Sequence, residues 1–230
     1  MQRFFVPFPL SIDVVLTDAD IIHQFSRVLR FQTGDHVILF DGDGSETEYE
    51  IVAIEKKSIS LKGIARTFPK TEATKSVVLY QALPNKIEKI EYILQKGVEI
   101  GIKKFIFFRS DRSQKLVLSD SKIARFHAIA REAVEQCGGL VLPEIHFLEK
   151  KGALPESGIH MVLDTLGEQK RLGEFSDIQD IGLWVGPEGG WSEEERQEMI
   201  GSGFIFAHFS ERVMRTETAG VVAAFALLNQ

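Results

Sequence analysis

Cysteine is almost missing from this 230-residue chain. Cys137 stands alone, so no disulfide can form within it. With 44% hydrophobic residues the chain can close a core by burial alone. A lone thiol fits a reducing, cytoplasmic compartment. No apolar run approaches the roughly 20 residues of a membrane-spanning helix. The opening MQRFFVPFPL has one arginine and two prolines, and its apolar part is too short and broken for a secretion signal. The six histidines show no metal-ligand spacing, so no metal is expected. The P-loop and the G-x-G-x-x-G fingerprint are both missing. Positive charge is scarce too: the net charge of −6 speaks against a general nucleic-acid binder.

That average hides an uneven distribution. Residues 71–137 carry 12 Lys/Arg against 8 Asp/Glu, whereas residues 138–230 carry 7 against 15. The middle third can present a basic face, although charge runs are commonly just solvated. Residues 1–68 read as mostly β, with apolar or alternating segments at 2–7, 12–16, 36–41, 47–55 and 58–66. "DGDG" (41–44) is a turn signal. Close-spaced short strands predict a small barrel, interrupted by a helix over 18–30 with Asp18 as N-cap. Residues 67–76 are polar and read as a linker. From 77 the pattern changes to alternating strands and helices. Strands are predicted at 77–83, 104–108, 160–164, 181–186 and 204–209. Helices are predicted at 86–100, 120–137 and 193–202, and at the end of the chain. This is an α/β domain with a mostly parallel sheet covered by helices.

Two stretches stand out. "GPEGG" (186–190) follows an apolar strand and precedes a helix start. Ser192 and Glu195 have capping-box spacing. Ligands in open α/β sheets sit beyond the carboxyl ends of strands, and glycines let backbone approach a ligand. The residues alone leave a structural turn and a ligand loop equally open. The second stretch is "SERVMRTETAGVVAAFALLNQ" (210–230). Its helix is apolar nearly all round, which points to burial on all sides. Either a partner copy or the chain's own core can provide that cover.

Both motifs, together with "RFFV" (3–6), "HQFSRVLRFQTGD" (23–35), "LPNKIEKIEYILQKGVEIGI" (83–102), "RSDRSQ" (109–114) and "AREAVEQCGG" (130–139), resemble the SPOUT-superfamily uracil-N3 methyltransferases of 16S ribosomal RNA. The resemblance runs along the whole chain. It implies a PUA-like RNA-binding β-barrel over 1–68 and a methyltransferase domain over 75–230 with a deep trefoil knot. It implies S-adenosylmethionine as cofactor. The implied substrate is one uridine near the decoding site, on assembled small subunits. It also implies a homodimer through the knotted domain and the C-terminal helix. By position, Leu163, Asp164, Gly186, Pro187, Glu188, Gly189, Gly190, Phe209, Ser210, Val213, Met214, Arg215 and Thr216 would bind the cofactor. Arg3, Arg27, Arg30, Lys86, Lys96, Arg109 and Arg112 would contact RNA. Two departures are Ser210, where the family has glycine, and Gly139, where a basic residue is common. A positive φ at 210 would strain a serine.

Transfer from a sulfonium is an in-line displacement, so positioning dominates. Uracil N3 carries a proton that must leave. Glu217 and Glu188 are candidate bases, each with a bland alternative as a helix-start or loop-closing acceptor. Arg215, or Arg212, would stabilise charge developing on the uracil oxygens. Cys137 has no His partner in the sequence and is read as a packing residue. A non-catalytic RNA-binding assembly factor on the same fold is the competing reading.

Overall fold

The computed structural model describes residues 1–149, 158–166, 170–171, 175, 178–208 and 210–229. The chain divides into two compact units, Met1–Thr71 with Val134–Val141, and Glu72–Ala133 with Leu142–Gln230.

The first unit holds β1 (Arg3–Phe5), β2 (Asp13–Leu16), α1 (Ala19–His23), β3 (His36–Phe40), β4 (Glu46–Ile54) and β5 (Ile59–Thr67). The sheet order is β1-β3-β4-β5-β2, with β1 parallel to β3 and the other pairs antiparallel. In β4, Thr47, Tyr49 and Ile51 point inward and alternate with Glu46, Glu48 and Glu50. All five strands contribute to one buried cluster, so the sheet curls around it. The DGDG turn closes through its own side chains: Asp41 accepts from the N–H of Asp43, and Asp43 from that of Ser45. Asp18 caps α1 as its sequence predicts, accepting from the N–H groups of Asp20 and Ile21. The helix does not run to residue 30 in one form. Its second half, Gln24–Val28, is π-helical, and Phe25 there is fully buried against Phe4 and Phe31.

The second unit comprises β6 (Ser76–Ala82), α2 (Ile87–Glu99), β7 (Lys104–Phe108), α3 (Asp120–Cys137), β8 (Glu144–Leu148), β9 (Ile159–Leu163), β10 (Lys170–Arg171), β11 (Asp180–Val185), α4 (Glu193–Gly201), β12 (Ile205–His208) and α5 (Thr216–Leu228). The last turn of α3 groups with the first unit. The sheet order is β10-β12-β9-β11-β6-β7-β8 and every pair is parallel. The two-residue β10 and the short β8 were not expected from sequence. Helices cover both faces. Leu79, Gln81 and Val185 meet α5 at Gly220, while Tyr80 and Trp184 share a cluster with Met199 of α4. Tyr80 and Trp184 stack at 4.1 Å. Gly97 lets α2 lie close on β7, since a Cβ there would meet Phe105 at 2.6 Å.

Of α5, Gly220, Ala223, Ala224, Leu227 and Leu228 are buried within this unit, while Val222 and Phe225 are exposed. The all-round apolar helix is thus half covered by its own chain. Among the described residues no helix is long and apolar enough to cross a membrane.

Candidate functional site

β12, β9 and β11 lie side by side and parallel, so their carboxyl ends open on one edge of the sheet. The chain leaves β11 into residues 186–190. Ser192 then starts α4 with a full capping box: its Oγ accepts from the N–H of Glu195, and Glu195 Oε2 accepts from the N–H of Ser192. The glycines of the loop serve different needs. A Cβ on Gly186 would come within 3.2 Å of the Trp191 indole. That indole is buried and its Nε1 donates to the carbonyl of Leu163 at 3.0 Å, tying the loop to the end of β9. Gly190 has φ +66°, and a Cβ there would face open space.

The loop walls a cavity of about 890 Å³. Leu163, Asp164, residues 186–190, Ser210 and Val213, Met214, Arg215 and Thr216 all line it. Phe209 lies outside the described residues. Ser210 does not have positive φ, and its Oγ accepts from the N–H of Arg212, so the strain considered for a serine here does not arise. Thr216 Oγ1 donates to the carbonyl of Gly186 at 2.6 Å and accepts from Gln81 Nε2 at 2.9 Å. This buried chain of bonds pins the start of α5 to the glycine loop.

The charges are ordered by pairing. Asp164 holds Arg196 at 2.6 Å, its side chain only 3% exposed. Arg196 occupies the position after the capping box where a hydrophobic staple would pack, and its partner explains it. Glu188 closes the loop by accepting from the N–H of Asn85 and from Lys89 Nζ at 2.7 Å. Burial alone would raise the Glu188 pKa, but the hydrogen bond from Lys89 and backbone N–H groups outweigh it and the carboxyl is held below its usual range. Lys89 also reaches Glu217 at 3.4 Å. Burial opposes its charge, yet Glu188 first and then Glu217 raise its pKa. Lys89, absent from the sequence-derived candidates, lines the cavity; Glu217 is not among the lining residues. Arg215 and Arg212 line it too, exposed and without ion pairs among the described residues.

The expected RNA contacts have different surroundings. Arg27, Arg30 and Lys86 are exposed. Lys96 pairs with Glu99, and the Nε of Arg109 is buried without a hydrogen-bond partner among the described residues. Arg3 is committed to its own unit: it binds Glu46 at 2.7 Å, donates to the carbonyls of Val134 and Gly139 and lies over Phe40. Its side chain is only 12% exposed, which leaves little to offer a phosphate. Arg112 lines the cavity and donates to the carbonyl of Gly189 at 3.0 Å. Its neighbour Asp111 accepts from Ser192 Oγ and donates its N–H to Glu195.

The sequence pattern described as an RNA methyltransferase domain matches residues 71–228, and one described as an RNA methyltransferase PUA domain matches residues 16–62. The ribosomal RNA small subunit methyltransferase E of Buchnera aphidicola (Acyrthosiphon pisum) is 32% identical over 215 residues, covering 89% of this chain and 83% of that protein. The protein of the same name from Bacillus subtilis is 29% identical over 251 aligned positions, covering 100% and 97%. The crystal structure of the Neisseria gonorrhoeae ribosomal RNA small subunit methyltransferase E bound to S-adenosyl methionine superimposes with a TM-score of 0.88 at 28% identity, covering 98% of this chain and 95% of that one.

Proposed function

This chain belongs to the RNA methyltransferase family, and from that premise we propose that it moves a methyl group from S-adenosylmethionine to N3 of one uridine in 16S ribosomal RNA. The substrate is the assembled small subunit, methylated near the decoding site. The observation that carries this reading is the cavity at the carboxyl ends of β9, β11 and β12, walled by residues 186–190 and 213–216. Its volume, about 890 Å³, lies within the range of about 300–1,000 Å³ usual for small-molecule sites. The open space at Gly190 and the small residues around it suit a ligand held largely by main chain. The names and bound cofactor of the relatives support the donor and the RNA class.

When bound, S-adenosylmethionine supplies a methyl group made electrophilic by its sulfonium. The chain's task is to hold the uracil in line with it. N3 loses its proton to water, and charge develops on the flanking oxygens. Arg215, at the cavity and free of ion pairs among the described residues, faces that charge. Glu217 takes an orienting part instead of the base role its sequence position invites, because its Oε2 faces Lys89 and it does not line the cavity.

Residues 1–68 act as the PUA-like RNA-binding barrel, with Arg27 and Arg30 on phosphates. Residues 75–230 act as the knotted SPOUT-type domain, to which Lys86, Lys96, Arg109 and Arg112 add RNA contacts. Two copies pair through α5, whose Val222 and Phe225 are 37% and 53% exposed, alongside Val213 at 80%. The direct test is calorimetric titration with S-adenosylhomocysteine. Saturable binding that is weakened by Gly189→Val is expected, since a Cβ on Gly189 already meets Arg112 at 3.2 Å. No binding would overturn the methyltransferase reading.

A further inference from the structure

A lysine in the first turn of a helix is out of place, because the positive end of the macrodipole repels it. Lys89 is the third residue after the N-cap of α2. Helix stability does not account for it, and neither does solvation, since its side chain is only 20% exposed. Its partners do. Its ammonium sits 2.7 Å from Glu188 and 3.4 Å from Glu217, whose side chains are 30% and 12% exposed. Glu188 stands in the middle of the glycine loop, and Glu217 is the second residue of α5. Both segments contribute lining residues to the cavity. Glu217 Oε2 is buried and makes no hydrogen bond among the described residues, so the ion pair with Lys89 is what compensates that oxygen.

We propose that Lys89 is the positioning residue of the cofactor site, tying the glycine loop to the start of α5 through Glu188 and Glu217. The inference rests on the cofactor reading above. The tie has two halves on the same pair of segments. Thr216 Oγ1 bonds the carbonyl of Gly186 from α5, and Lys89 joins the side chains of the same two segments from α2. Burial disfavours the charge on Lys89, but the carboxylates outweigh it and hold its pKa above the ordinary value, so the tie stays charged at neutral pH.

The test is S-adenosylhomocysteine titration and thermal unfolding of Lys89→Met, Lys89→Arg, Glu217→Gln and, as a control, Glu91→Gln. Glu91 lies on the same helix and pairs with Arg125 away from the cavity. Wild type and Glu91→Gln are expected to bind alike. Lys89→Met should bind about tenfold more weakly or worse, the scale of a link in one network. Lys89→Arg should recover most of that loss, because it restores the charge. Glu217→Gln keeps the side-chain volume and also tests the tie should Lys89→Met fail to fold; it should weaken binding, and by less in the Lys89→Arg background than the sum of the two changes. Wild-type binding together with undiminished binding in folded Lys89→Met or Glu217→Gln overturns the positioning role and leaves the methyltransferase reading standing. A wild type that does not bind overturns both.

Discussion

Replacing Gly186 by alanine isolates what the glycine loop is built on. The added Cβ would lie 3.2, 3.3 and 3.4 Å from three atoms of the Trp191 indole. Trp191 is 1% exposed, so it cannot swing into water. It is also held by its bond to the Leu163 carbonyl. Relief therefore requires the ring to move against its neighbours, Phe108 among them. Overpacking of this kind costs about 1–3 kcal/mol. Alanine recovers part of that, about 0.4–1 kcal/mol, by restricting the unfolded chain, because the φ at 186 is not in the left-handed region. The net expectation is a loss of about 1 kcal/mol or more, read as a lower midpoint in urea at unchanged slope. Affinity for S-adenosylhomocysteine should fall with it, since the displaced ring links the loop to β9. Gly190→Ala is the contrast: its Cβ meets nothing, so its cost is the backbone strain at φ +66°, about 1–2 kcal/mol, without a clash. A Gly186→Ala protein as stable as wild type, with the same affinity, would refute the packing argument.

Thr216→Val removes a buried bond to the Gly186 carbonyl and should destabilise by about 1–3 kcal/mol, measured by denaturant unfolding. Arg215→Ala should leave S-adenosylhomocysteine affinity nearly unchanged while lowering the transfer rate by about 10²-fold or more in a single-turnover assay. Arg3→Met should lower stability by about 3 kcal/mol by leaving Glu46 unpaired, and should change small-subunit binding little at fixed salt. The depressed pKa of Glu188 means its stabilisation is complete above the ordinary value of 4.5 and is lost as pH falls through the lower folded value. Unfolding measured against pH should therefore show a steeper acid loss in wild type than in Glu188→Gln.

Local signals are legible in the sequence where the interaction is short-range. The caps at Asp18 and Ser192 rest on neighbours two or three residues away, and spacing alone reveals them. The alternation of strands and helices announced the parallel sheet for the same reason. What escaped depends on distant partners. Lys89 sits on the polar side of α2's apolar stripe and looks like solvated charge until Glu188, 99 residues away, is placed beside it. Arg3 reads as a phosphate contact until Glu46 claims it. Trp191 stands just before the helix cap with no local signal of its role, yet its indole explains Gly186 and joins β9 to the loop. The π-helical turn at Gln24–Val28, which buries Phe25, has no distinguishing local signal in the sequence.

The most direct measurement is transfer of labelled methyl from S-adenosylmethionine to purified small ribosomal subunits lacking the modification, followed by digestion and identification of the labelled nucleoside by mass spectrometry. We expect one 3-methyluridine per subunit, formed by wild type and strongly reduced with Arg215→Ala. Label on another nucleoside, or none on subunits under conditions where S-adenosylhomocysteine binds, would contradict the assignment.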